Sequence, residues 1–193
     1  MKHHVATDAW MLTLPTATET VAFDIVYDGR VIGEMSATRE RTGDQEIYLN
    51  TTTVRTRFIG QIEVQYQSKV VYKNGVLQES SVKSFVNGDV YSDVKTQKSG
   101  SDYQFLKNGK TKHTVRGPIT YSALQMLFEE PLGKSAAYSE EAGNFITIQS
   151  NGKASYNKVN SRGRTNRYFY ENNFLKKIEI DAGIVAFEMV RTK

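Results

Sequence analysis

Residues 61–80, QIEVQYQSKVVYKNGVLQES, carry the reading that decides the fold. Ile62, Val64, Tyr66, Ser68, Val70 and Tyr72 alternate with Gln61, Glu63, Gln65, Gln67, Lys69 and Val71, the two-residue period of a strand with one dry face and one wet face. Asn74-Gly75 then predicts a two-residue hairpin turn. A type I′ turn holds both central residues at positive φ, which asparagine tolerates and glycine adopts at little cost. The chain returns as a strand over 76–86.

The same punctuation recurs at Asn87-Gly88, Asn108-Gly109 and Asn151-Gly152, each expected to be a hairpin tip, and more faintly in YENNFLKK at 170–177. The spacing varies and the shared letters cluster at turns, so the repeats mark strand ends rather than duplicated functional units. Working outward, strands are expected over 21–27, 31–41, 45–59, 61–73, 76–86, 89–96, 103–107 and 112–116. Further strands are expected over 144–149, 153–159, 167–170, 175–180 and 184–190. Turns at Asp28-Gly29, Gly43-Asp44 and Gly60 link the early ones.

One helix is expected, over 122–130. Ser122 with Gln125 is a capping-box pair, Leu124, Leu127 and Phe128 make an i, i+3, i+4 apolar stripe, and Pro131 stops the run. A segment this short is held only by packing its stripe on the sheet. Because it lies between two strand blocks joined internally by tight hairpins, the fold class is mainly β. The expected architecture is a strongly curved antiparallel meander sheet, forming a half-open barrel around one short helix.

With 193 residues the chain is read as one domain over 20–193, preceded by an N-terminal arm or flanking extension over 1–19 in which Trp10, Met11, Leu12 and Leu14 pack somewhere. Hydrophobic residues make up 39% and charged residues 24%, a globular rather than a disordered balance. The opening MKHHVATDAW has no apolar signal core, and no window is apolar enough for a membrane helix. There is no cysteine, hence no disulfide, thiolate nucleophile or cysteine metal site; this suits a reducing cytosol and a cell envelope equally.

Catalytic, cofactor and metal sites are not expected. G-x-S-x-G, G-x-G-x-x-G and phosphate-loop patterns are missing, and His113, between Lys112 and Thr114, reads as a strand residue near a turn. The net charge of +4 concentrates at Arg162, Arg164 and Arg167 and over 107–116, beside turns, where solvated strand ends account for it and nucleic acid is not an expected partner. Glu129 and Glu130 diverge on the expected helix. Glu130 is either solvated or joined in a structural ion pair with an arginine of the sheet. Glu140-Glu141 reads as a charged turn. Curled sheets commonly enclose a ligand cavity, and Phe23, Ile25, Met35, Val64, Tyr66, Leu124, Met126, Leu127 and Phe128 are the candidate lining, with a filled core as the other reading of the same residues.

The phrases YKNGVLQES (72–80), SFVNGDVYSD (84–93), YSALQMLFEEPLG (121–133), YSEEAGNF (138–145) and YFYENNFLKKIEI (168–180) resemble an uncharacterised family of bacterial, often exported, β-rich proteins, over about residues 20–191. That resemblance implies a half-barrel (β-clam) similar to those of the periplasmic lipoprotein carriers, which hold acyl chains in an apolar hollow capped by helices. It also implies a periplasmic or otherwise exported setting. Leu124, Leu127 and Phe128, with Val64 and Tyr66, would take the corresponding role, although one short helix stands where the carriers have more cover. A lipocalin likeness fails at Trp10, which follows Asp8-Ala9 instead of the glycine two residues earlier. The expected activity is therefore non-enzymatic binding of a lipid or other apolar small molecule. The alternative is a structural or protein-interaction domain with a filled core, for which an envelope protein would be the partner.

Overall fold

The computed structural model describes residues 16–57, 61–183 and 185–192. Two meanders make up the fold. The first runs β1 (Thr16–Tyr27), β2 (Arg30–Thr42), β3 (Gln45–Thr56), β4 (Ile62–Lys73), β5 (Val76–Val86), β6 (Asp89–Ser99), β7 (Asp102–Lys107) and β8 (Lys110–Val115). The second runs β9 (Ala136–Ser139), β10 (Asn144–Ser150), β11 (Ser155–Val159), β12 (Thr165–Glu171), β13 (Phe174–Asp181) and β14 (Ala186–Arg191). Pairing of β1 with β14, for example Phe23 opposite Arg191 and Ile25 opposite Met189, fuses them into one antiparallel sheet of 14 strands ordered β8 to β1, then β14 to β9. A sheet of that width with one dry face curls.

The edges β8 and β9 do not pair with each other, so the barrel stays open, but side chains stitch across the gap. Thr96 Oγ1 and Tyr138 OH lie 2.6 Å apart, and His113 Nε2 lies 2.7 Å from the Gly143 carbonyl oxygen. The connection from β8 to β9 crosses from one edge of the sheet to the other through the interior. Ile119, Tyr121, Leu124, Met126, Leu127 and Phe128 are buried along it. Tyr170 OH donates to the Met126 carbonyl at 2.7 Å, and the Leu77 N–H donates to the Ile119 carbonyl at 2.9 Å, so the crossing segment is tied to both meanders.

The expected helix is present in a tighter form. Ala123–Leu127 is a 3₁₀ helix, closed by the Phe128 N–H donating to the Gln125 carbonyl at 3.0 Å, and the Ser122 N–H donates to Gln125 Oε1 at 2.9 Å as the capping pair predicts. Leu124, Gln125, Met126 and Leu127 are all buried, so the segment packs on every side instead of presenting one stripe. Three residues per turn keep Leu124 and Leu127 on one side, as the α-helical stripe has them, and take Phe128 off it.

The turn chemistry holds at most tips. Asn74, Asn87 and Asn108 have φ of 51–52° and are followed by glycines at 70°, 90° and 72°. Asn151-Gly152 departs from it. Asn151 stays out of the left-handed region and Ala154 takes it at 54°, making a four-residue loop closed by the Asn151 N–H on the Ser155 carbonyl at 2.8 Å. Val71, expected on the wet face, is buried, but it stays outside the core cluster that takes its neighbours Val70 and Tyr72. Strand β9 was not expected, since AAYS is short and is ordered by its pairing with β10, Ala137 opposite Ile146. β1 begins at Thr16, within the expected arm. Trp10, Met11, Leu12 and Leu14 lie outside the described residues, as does the turn at Gly60.

Candidate functional site

The curl leaves space inside. A central hollow of ≈ 330 Å³ has Ala123, Leu124 and Leu127 as its floor. Its walls come from residues two apart on successive strands: Thr52 and Val54 on β3, Tyr66 and Ser68 on β4, Ile178 and Ile180 on β13, Phe187 and Met189 on β14. Strand alternation sends each pair to the same face. Register then aligns them, with Ile25, Met189, Ile178 and Tyr168 directly opposite one another across β1, β14, β13 and β12, and Met35, Thr52 and Tyr66 across β2, β3 and β4.

Toward one end the hollow adjoins an almost wholly apolar mouth of ≈ 190 Å³, with Ile25, Val54 and Phe187 in both walls and Ile32, Ile62, Val64 and Val185 beyond them. On another side it adjoins a polar cleft of ≈ 580 Å³, with Ser139, Glu141 and Lys158 common to the two. The central space alone falls at the small end of the roughly 300–1,000 Å³ typical of small-molecule sites.

Of the candidate lining, Ile25, Met35, Tyr66, Leu124 and Leu127 face the central hollow and Val64 faces the mouth. Phe23, Met126 and Phe128 are core residues that line neither space. The Phe128 ring packs edge-on against Tyr48 at 5.5 Å, with the Arg39 guanidinium 5.4 Å over its face. Arg39 also pairs with Glu19, its cross-strand neighbour, and with Glu129 at 3.4 Å. The arginine contact expected for Glu130 is thus made by the adjacent Glu129, and Glu130 Oε1 instead accepts the Tyr156 hydroxyl at 2.8 Å. Both carboxylates therefore reach the sheet, Glu129 at β2 and Glu130 at β11.

Sequence reasoning missed the polar side of the hollow. Glu140 is not a solvated turn residue; it is buried, and its Oε1 accepts the Leu124 N–H at 3.1 Å, bracing the floor. Burial raises its pKa, more than its hydrogen bonds and the Lys158 ammonium lower it. Lys158 reaches over the Tyr168 ring, 5.5 Å from its centroid. Desolvation acts to lower the lysine pKa, but Tyr168, Glu140 and Glu141 outweigh it and the net direction is up. Burial holds the Tyr66 hydroxyl well above the ordinary phenol range. A legible signal existed for Lys158, two residues from Tyr156 on a strand whose aromatic faces inward.

The raised Glu140 pKa sets the sign of a pH effect. The folded state binds this proton more tightly than the unfolded chain does, so the contribution is full at low pH and is lost as pH rises from the ordinary carboxyl value of 4.5 through the higher folded value. Glu140→Gln keeps an acceptor for Leu124 and removes the charge. It is expected to flatten Tm against pH in that range and to raise Tm by a few degrees at neutral pH; a lower Tm at neutral pH would show that attraction to Lys158 outweighs burial.

Among the described residues no group of histidine and carboxylate side chains could hold a metal ion, and no helix is long and apolar enough to cross a membrane. Residues 23–192 match the sequence model of a family described as a domain of unknown function, DUF6134. No curated protein matches the chain. Among solved structures it is similar to the crystal structure of a β-barrel-like protein of domain of unknown function DUF1849 from Brucella abortus. The TM-score is 0.61 at 11% identity, over 94% of this chain and 97% of that one. At that identity the likeness establishes the barrel-like fold alone.

Proposed function

The chain belongs to the DUF6134 family, a description that carries no activity, and we propose that it is a non-enzymatic binding protein holding a lipid or other apolar small molecule in the half-barrel. The observation that carries this reading is unfilled space above the Leu124–Leu127 floor, flanked by an apolar pocket that shares Ile25, Val54 and Phe187 with it. A filled core would interdigitate side chains to leave few voids larger than a water molecule. Apolar walls left facing a hollow gain most when an apolar ligand replaces the water there. We assign the protein to the cell envelope on its resemblance to exported β-rich proteins, to be checked by fractionation of the producing cell.

Native mass spectrometry after gentle purification tests the binding reading. The expected result is a bound small-molecule mass and an extractable lipid. The extracted protein should then take up N-phenyl-1-naphthylamine with a rise and blue shift in fluorescence. Absence of both copurifying ligand and dye uptake would overturn the proposal in favour of a structural or protein-interaction domain.

A further inference from the structure

Resting on that reading, we propose that the ligand is a single-chain anionic amphiphile, with its hydrocarbon chain in the apolar hollow and its carboxylate or phosphate head in the adjoining polar cleft, met by Lys107, Lys158, Arg162 and Arg164. These four cations face two carboxylates in the cleft, Glu141 and Asp181, an excess of two positive charges. Among the described residues none of the four is ion-paired to a carboxylate, whereas Arg39, Arg55, Lys177 and others on the sheet are. Asp181 is already engaged, its Oδ1 accepting the Gly183 N–H at 2.8 Å.

The cationic loop is built in advance of any ligand. Asn160 Oδ1 accepts the backbone N–H groups of Arg162 at 2.9 Å and Arg164 at 3.0 Å, and the Asn160 N–H donates to the Arg164 carbonyl at 3.0 Å. Arg164 Nη1 donates to the Ala182 carbonyl at 3.2 Å, which holds the guanidinium by one nitrogen and leaves its other donors for an oxyanion. Lys158 stands at the boundary. It lines both the hollow and the cleft, so its stem can cover apolar surface while its ammonium serves the head group. A neutral apolar ligand uses the hollow and leaves this cleft idle; a free anion uses the cleft and leaves the hollow wet. An amphiphile uses both.

The test displaces bound N-phenyl-1-naphthylamine with dodecanoate, dodecan-1-ol and acetate, with inorganic phosphate as a fourth arm. Dodecanoate is expected to bind about tenfold more tightly than the alcohol, as charge-assisted hydrogen bonds at a partly exposed site permit, and the advantage should shrink as salt is raised. Combining Arg162→Gln with Arg164→Gln should erase the difference while leaving dye uptake and alcohol affinity intact; Lys107→Gln, at an exposed strand end, should reduce it without touching the loop. Equal displacement by acid and alcohol would overturn the anionic head while the apolar-ligand reading stands. Competition by acetate or phosphate as strong as that of dodecanoate would make the cleft a free-anion site and overturn the amphiphile. Failure of the wild-type protein to take up the dye, with no ligand copurifying, would overturn the underlying reading, and this one with it.

Discussion

Val54→Trp is expected to weaken N-phenyl-1-naphthylamine binding by about a hundredfold, which corresponds to about 3 kcal/mol of steric conflict, the upper part of the range for overfilling a packed site. Val54 stands in the wall shared by the mouth and the central hollow, opposite Gly33 on β2 and Val64 on β4. An indole there projects into unfilled space, so it narrows the passage without displacing a neighbour. Added apolar burial should leave Tm unchanged or slightly raised. Arg55→Trp is the matched control. It places the same side chain one residue on, at an exposed position, and strand alternation sends it to the outer face, so binding should not change. A Val54→Trp protein that keeps full dye uptake would show that the dye does not enter by this hollow.

Gly33→Ala is expected to destabilise the fold by about 3 kcal/mol or more, a fall in Tm of roughly 6–12 °C for a chain of this size. The glycine is required by close approach, not by a turn. A Cβ at position 33 would lie 2.2 Å from the Thr53 carbonyl oxygen and 2.8 Å from Val54 Cα, both backbone atoms that cannot move without shifting β3. Gly33 pairs with Ile25 on β1 beside the bulge between Ile25 and Val26, and with Val54 on β3. Glycine and bulge together allow the three strands to bend tightly where the hollow meets its mouth. Thermal unfolding measures the effect, and a Tm within 2 °C of wild type would show that β3 yields at no real cost.

Much of the fold was legible because its information is local. Alternation in 61–73 identifies a half-buried strand within one stretch of chain, and Asn74-Gly75 specifies its turn from two residues. The same logic failed where neighbours in space overrule neighbours in sequence. Asn151-Gly152 has the letters of a hairpin tip, yet the loop places its left-handed residue at Ala154, and AAYS becomes a strand through its pairing with β10. The helix phrase contained its cap and its stop, but the segment forms a buried 3₁₀ helix in place of an α-helix. That form separates Leu124 and Leu127, which face the hollow, from Phe128, which does not.

The sequence by itself determined that this is a one-sheet antiparallel β protein with its helix between two meanders, because strand period and turn chemistry depend on residues a few positions apart. Tertiary structure alone decided that β1 pairs with β14, that Glu140 and Lys158 come to one wall although one lies on the turn after β9 and the other on β11, and that space remains unfilled between them and β3. Pairing the ends of the chain and leaving a void are properties of the curl of the whole sheet. No short stretch of residues encodes them, since they depend on how 14 strands sum their twist and bulges around the Leu124–Leu127 floor.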